Sequence, residues 1–474
     1  MSSLVILFTI IGNFGNLSSG KQPDSDTLFQ PALPQNATLG HYSNTNFHFQ
    51  TTSIIQGDPS FPAKYSGPNS LNSKGEIQET ITADLYAGRK LWRGAAVYAD
   101  LLMWQGFGLS QTFGIESYPN GDAYKAGTSK PNYSFAHLFI RQTFGLGGEL
   151  EAVSDDQLFL AGKQSISRLT VTLGRFSTLD LCDQNSYAKD QHTQFLNWAM
   201  MGNISWDYGQ NTIGYTTGVA IELNQPKWAL RYGFFQMPKE KNGFTGDDQI
   251  LTWPQRGEYG PFLKSWAMML EFEKRYSIHL HPGVVRLLSW MDEANFASYR
   301  VATDLLKLNP PDPNTGQGSG ITIPEAARAF RLKYGFGLNW EQEMTNNTGA
   351  FARLGWTDGH NETWTFTDVD WTISAGLNIK GNLWHRNGDR IGIAGIISGA
   401  SYDNQQFLKA GGTDMLSGDG NLNYSPEKVM EAFYDFKICR NLFTTVDYQW
   451  VINPAFNKDR GPVSIFGARI HWEF

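Results

Sequence analysis

At 474 residues the chain can hold one large domain or about three ordinary ones, and its 18% charged residues fall below the roughly 25% of soluble globular chains. Hydrophobic residues are only 41% and mean hydropathy is −0.36, which excludes a bundle of membrane helices, while 14% aromatics and 49 glycines suit strands and turns. A net charge of −7 without a dense Lys/Arg tract gives nucleic-acid binding no electrostatic footing, and the missing Gly-X-Y and heptad periods exclude collagen and coiled coil.

In chain order, residues 4–12 form an apolar run too short to span a bilayer, which takes about 20 residues. Its length is that of a leader's apolar core, and Ser18, Ser19 and Gly20 offer a cleavage site, although no basic residue precedes the run. Residues 1–20 are therefore read as a signal-peptide-like segment, 21–45 as a periplasmic segment, and 46–474 as the folded domain. Strand candidates then follow at 46–56, 77–88, 92–102, 135–145, 168–176, 199–208, 212–223, 227–237, 264–275, 280–291, 329–342, 349–358, 369–380, 388–399, 428–438, 441–451 and 463–474.

Their period is two. Leu332, Tyr334, Phe336, Leu338 and Trp340 share one face, and Arg331, Lys333, Gly335, Gly337, Asn339 and Glu341 the other. A soluble sandwich would bury the apolar face, whereas a membrane barrel turns it to lipid and keeps the polar face wet. Strands longer than the usual five or six residues favour the barrel. So do aromatic ends to the apolar faces (Trp340, Trp356, Trp371, Tyr448, Trp450, Trp472) and a final aromatic residue, Phe474. An all-β transmembrane antiparallel barrel is expected. Long connections at 103–134, 292–328 and 400–427 should be extracellular, and tight ones at 89–91, 343–348 and 381–387 periplasmic. Seventeen strands violate the even count that places both ends on one side. Parity fails between 135 and 291, so the barrel has sixteen or eighteen strands.

Alternation turns Arg141, Arg231, Arg331, Lys333, Arg353 and Arg469 to the lumen, with Asp84, Glu222, Glu271, Glu273, Asp368, Asp370, Glu431, Asp435, Asp447 and Glu473. Phe235, Phe351 and Phe433 share that register. A wall of mixed sign is unlike a charge-selective ring, and carboxylates, guanidinium groups and ring faces suit an uncharged polyhydroxylated solute. Bracing of the wall is the alternative role for each charge. Arg331 and Arg353, on adjacent candidates, are expected to meet water and solute. No catalytic motif, metal-ligand spacing or cofactor signature occurs. Cys182 and Cys439 lie in separate turn-like segments, which leaves a mutual disulfide open.

The segments GRFSTLDLCDQNSYAKDQHTQFLNWAMM (174–201) and WDYGQNTIGYTTGVAIELNQPKWALRYGFF (206–235) resemble the carbohydrate-selective porin family typified by OprB. FPAKYSGPNSL (61–71) and DYQWVINPAFNKDRGPVSIFGARIHWEF (447–474) are similar to other parts of that family. Insertions at 238–263 and 292–328, and Cys182, are departures from its pattern. The resemblance implies a sixteen-stranded outer-membrane barrel that passes sugars by facilitated diffusion, with loops folded inward to narrow it. A general or ion-selective porin is the alternative. It further implies that the stretch from Arg175 onward is part of a constriction, with Asp180, Asp183, Asn185, Tyr187, Lys189, Asp190, Gln194 and Asn197 presenting polar groups. Expected partners are carbohydrate solutes, outer-membrane lipid and lipopolysaccharide, and the barrel assembly machinery through Phe474, with the protein a monomer or homotrimer.

Overall fold

The computed structural model describes residues 43–238, 241, 264–308, 321–323 and 325–474. The leader-like segment, all but the last three residues of the proposed periplasmic stretch and most of the 238–263 insertion lie outside the described residues. Sixteen antiparallel strands close into one barrel, each paired with its neighbours in sequence and the last with the first. They are β1 (Thr45–Asp58), β2 (Glu76–Trp92), β3 (Ala95–Gly106), β4 (Thr128–Gly145), β5 (Arg168–Phe176), β6 (Thr216–Gln225), β7 (Trp228–Gln236) and β8 (Trp266–Ile278). The second half is β9 (His281–Ala294), β10 (Arg331–Thr345), β11 (Thr348–Thr357), β12 (Trp371–Lys380), β13 (Arg390–Gly399), β14 (Glu427–Cys439), β15 (Leu442–Ile452) and β16 (Val463–Glu473).

The count of seventeen is corrected to sixteen, and the surplus strand is 199–208. That stretch contains the end of a short helix, α1 (Trp198–Met201), followed by turns inside the barrel. Its apolar residues Ile204 and Trp206 are buried as an outward strand face would not be. Its polar residue Asp207 accepts from Trp364 N and Thr365 N, at 2.8 Å each, and forms no sheet ladder.

Outward side chains form an apolar band. Across neighbouring strands Leu354 faces Ile373, and Ile373 and Leu377 face Ile397 and Ile393. Phe336 and Trp356 stack at 6.2 Å. Trp356, Tyr448, Trp450, Trp472 and Phe474 all point outward and are exposed, as interfacial rings facing a bilayer would be. No helix among the described residues is long and apolar enough to cross a membrane; crossing by closed strands satisfies every backbone group without one.

The two barrel ends differ. Links of two residues join β2 to β3, β6 to β7, β8 to β9, β10 to β11 and β14 to β15, all at one end. The opposite end carries the long loops, among them 107–127, 177–215, 295–330, 358–370 and 400–426. Helices α2 (Tyr299–Leu308) and α3 (Tyr402–Lys409) lie in two of these loops. Two connections at the tight-turn end are longer: 381–389, between β12 and β13, holds a short 3-10 turn, and 146–167, between β4 and β5, carries a short ladder of Leu150–Val153 with Gly162–Ser165. Cys182 is buried beside Met269, with sulfurs 3.1 Å apart, and Cys439 is exposed beside a tight turn, so both are free thiols.

The seam pairs β1 with β16 from Gln50↔Glu473 to Gly57↔Phe466. Phe474 extends it, donating to Phe49 O at 3.0 Å and accepting from Phe49 N at 3.1 Å, with the two rings stacked at 6.0 Å. Deleting Phe474 should reduce the fraction of chain that reaches the closed barrel more than it destabilises barrels that do form. Those barrels lose two hydrogen bonds and one ring, with ring burial contributing about 1.5–3 kcal/mol. Gels of unheated membranes read the first quantity and thermal unfolding the second; an unchanged closed fraction would contradict the expectation.

Candidate functional site

Sixteen strands enclose a lumen wide enough for water, and loop 177–215 fills much of it. A capping box at its start ties Ser177 to Asp180, with Ser177 N donating to the Asp180 carboxylate at 2.9 Å. From there the loop runs along the inner faces of β8 to β16, where wall side chains hold its backbone. Glu271 accepts from Asp183 N at 2.7 Å. Glu341 accepts from Ser186 N at 2.6 Å, and Glu431 from Leu196 N at 2.6 Å. Asn339 donates to Asp183 O at 3.1 Å and to its carboxylate at 2.6 Å, and Asn185 donates back to Asn339 at 2.8 Å. Two arginines clamp it hardest. Arg353 donates to Met200 O and Ala188 O at 2.8 Å each, to Asp183 O at 3.1 Å and to Asp183 Oδ1 at 3.1 Å. Arg469 donates to Gln194 O at 2.9 Å and to Gln191 O at 2.5 Å.

Close approach needs missing side chains as well as partners. A Cβ at Gly349 would lie 1.6 Å from the Tyr187 ring, and one at Gly355 2.0 Å from Asn203 Oδ1. Loop 107–127 lies against the same segment, with Trp198 N donating to Tyr118 O at 2.8 Å and the two rings 5.3 Å apart. His192 bridges Asp190 and Asp122, 3.1 Å from each. Burial alone would lower this imidazole, but the two carboxylates outweigh it and raise it well above its ordinary value.

Several residues expected to meet water are instead turned into anchorage. Arg353 is 1% exposed and its guanidinium is spent on the loop. Lys333 is buried against Asp207 at 3.3 Å, and Arg175 donates to Phe135 O at 2.7 Å. Arg231 is enclosed by Glu222, Glu271 and Glu273 at 2.6, 2.8 and 2.9 Å. Asp435 lies beside Arg469 and accepts from Thr445 at 2.5 Å, while Asp447 accepts from Gln449 at 2.9 Å. Phe351 and Phe433 pack on Phe195 of the loop, with ring centroids 5.7 and 4.9 Å away, so they line no open passage. Arg331 sits apart from Arg353, at the long-loop end, where it donates to Ala327 O at 3.3 Å. Asp368 and Asp370 precede β12 and lie in loop 358–370, where Asp368 accepts from Leu416 N and Ser417 N.

The polar side chains left open to the lumen are fewer. Asp180, whose carboxylate is 2.9 Å from His137, Lys189 and Asp190 are at least partly exposed on the loop. Arg141 is half-buried on β4. At the long-loop end a cavity of about 270 Å³ is lined by Lys125, Arg328, Glu362 and Asp414 among others. Sequence reasoning missed the bridging roles of His137 and His192: Asp190 is only two residues from His192, but Asp122 and both carboxylates at His137 come from other elements.

The sequence model of the family described as carbohydrate-selective porin, OprB family, matches residues 68–474. No curated protein matches the chain. Among solved structures, the high-pH form of Pseudomonas putida OprB has a TM-score of 0.67 at 17% identity, covering 91% of this chain and 94% of that one. The low-pH form of the same protein has a TM-score of 0.46 at 13% identity, covering 91% and 93%. The outer-membrane channel DcaP of Acinetobacter baumannii has a TM-score of 0.46 at 8% identity, covering 91% and 97%. The first of these likenesses shows a shared barrel fold.

Replacing Arg353 by Met removes every donor of the loop's strongest clamp and leaves the Asp183 carboxylate short of a partner, a loss of about 3–5 kcal/mol for a buried pair. The barrel should still form, because no ladder bond is touched. Single-channel conductance should rise, and trypsin should cut at Lys189 in the folded variant; wild-type conductance together with resistance at Lys189 would contradict the anchoring role.

A second expectation concerns Lys125, in loop 107–127. Burial lowers its ammonium to about 7 against the pull of Asp368 and Asp207. For a lysine so depressed, the contribution to stability is full above its ordinary value near 10.5, fades as pH falls and is gone below about 7. The entrance therefore gains a positive charge as pH falls through 7. Reversal potentials between pH 6 and 8.5 should show a step toward anions on acidification, absent in Lys125→Met.

Proposed function

The chain belongs to the OprB family of carbohydrate-selective porins, and from that premise we propose that it passes sugars across the bacterial outer membrane by facilitated diffusion. One observation carries the mechanism: a loop is pinned inside the lumen by buried wall charges, while Asp180, Lys189 and Asp190 stay accessible on it. The passage is thereby narrowed without being lined by one sign of charge, so an ion gains little from the rim. A neutral polyol can exchange its water for carboxylate acceptors and ammonium donors as it moves through. Rigidity matters here, because donors and acceptors fixed by the wall need no reordering when a solute arrives. The long-loop end then faces the exterior and the tight-turn end the periplasm. The apolar band contacts membrane lipid, with lipopolysaccharide around its outer half. Phe474 is the residue we assign to recognition by the assembly machinery, and residues 1–20 to export.

Proteoliposomes swollen in sugars of graded size test the passage, and planar bilayers test the preference. Glucose and longer maltodextrins should enter at rates falling with size, and the sugar should reduce ion current saturably. Swelling without saturable block would assign a general diffusion porin instead.

A further inference from the structure

The connection 146–167 is out of place at an end otherwise built largely from minimal turns, and its tip is folded back into the barrel mouth. Asn46, on the lumen face of β1, donates to Asp155 Oδ1, Asp156 O and Phe159 O at 2.9, 2.9 and 3.0 Å. Gln157 donates to Gln50 of the same strand at 2.8 Å. Asp156 and Phe159 close the tip with two reciprocal backbone bonds of 3.0 and 3.1 Å. The tip is thus a fixed structure inside the mouth, held by side chains of the wall.

What it presents is chemically specific. Phe159 is 44% exposed although it faces the wet interior and not the outer band. The Arg141 guanidinium lies 4.6 Å from the centre of its ring, and 5.0 and 5.4 Å from the rings of Phe139 and Tyr98. One Arg141 donor is used, on Leu158 O at 2.8 Å, and the side chain is half-buried, so part of its five-donor fork is left for a solute. A half-bare ring beside a half-exposed guanidinium matches a sugar's two surfaces: axial C–H groups lie on the ring, and adjacent hydroxyls take the paired N–H donors. A charged solute fits less well, because the ring offers an anion nothing and Arg141 repels a cation.

We propose that Phe159 and Arg141 form a sugar-binding station at the periplasmic mouth, separate from the constriction, where a solute that has cleared the loop pauses before release. The proposal rests on the sugar-porin reading. It gives the connection 146–167 a function: the hairpin carries one half of the station, and β4 the other.

Single channels inserted in one orientation and probed with glucose and maltotriose provide the test. In the wild type, sugar should interrupt the current. Phe159→Ala and Phe159→Leu should shorten the interruptions about three- to tenfold, the range expected for loss of one ring contact, with the KCl conductance nearly unchanged. Phe159→Trp should restore them. Arg141→Lys, which keeps the charge but loses the planar fork, should shorten them too. Interruptions of wild-type length in both Phe159→Ala and Arg141→Lys would overturn the station and leave sugar passage intact. A conductance change in Phe159→Leu as large as the change in dwell time would show that the ring merely pins the tip, and would also overturn it. Absence of interruptions and of sugar-driven swelling in the wild type would count against sugar passage itself.

Discussion

The guanidinium of Arg353 holds three stretches of one loop through four hydrogen bonds, at Asp183, Ala188 and Met200. The lumen depends on contacts of this kind. A sixteen-stranded barrel is too wide to be filled by its own side chains, so the passage is shaped by what the wall can hold within it. Backbone carbonyls and amides of 177–215 would be unpaired if they left water without partners. The charged lumen face supplies those partners, with arginines for carbonyls and glutamates for amides.

This division explains why the wall carries so much charge of both signs. An inward carboxylate at Glu271, Glu341 or Glu431 would be costly to bury alone. Each is instead satisfied by loop amides, as at Asp183 N, Ser186 N and Leu196 N. The outward face needs none of this, because lipid asks only for apolar side chains and a closed ladder. One strand therefore serves two solvents, and alternation lets it do so without compromise. The same logic places glycines at 349 and 355, where the Tyr187 ring and the Asn203 and Ser205 side chains of the loop come closer than a Cβ would permit.

The two mouths are built differently. Long loops roof one end and leave a charged cavity around Lys125, Arg328 and Glu362. The other end is mostly clipped short, except where 146–167 turns back on β1 and β4. From the long-loop end to the tight-turn end, the lumen presents mixed charge first, then the braced loop, then an aromatic ring with a guanidinium beside it.

Alternation, strand length and the aromatic ends of the apolar faces made the barrel legible in the sequence, because each depends on local periodicity. Parity even confined the miscount to the stretch between 135 and 291, although 199–208 imitates a strand through apolar spacing that belongs to a buried loop. The lumen register was legible for the same reason: Arg141, Arg231, Lys333, Arg353 and Arg469 all point inward. Whether an inward residue meets water or a loop was decided by the tertiary structure alone. Arg353 and Asp183 are 170 residues apart and Glu431 and Leu196 are 235 apart, both beyond any local pattern. Such pairs exist only after the ring of strands has closed and the loop has settled across it, and no periodicity along the chain encodes that distance.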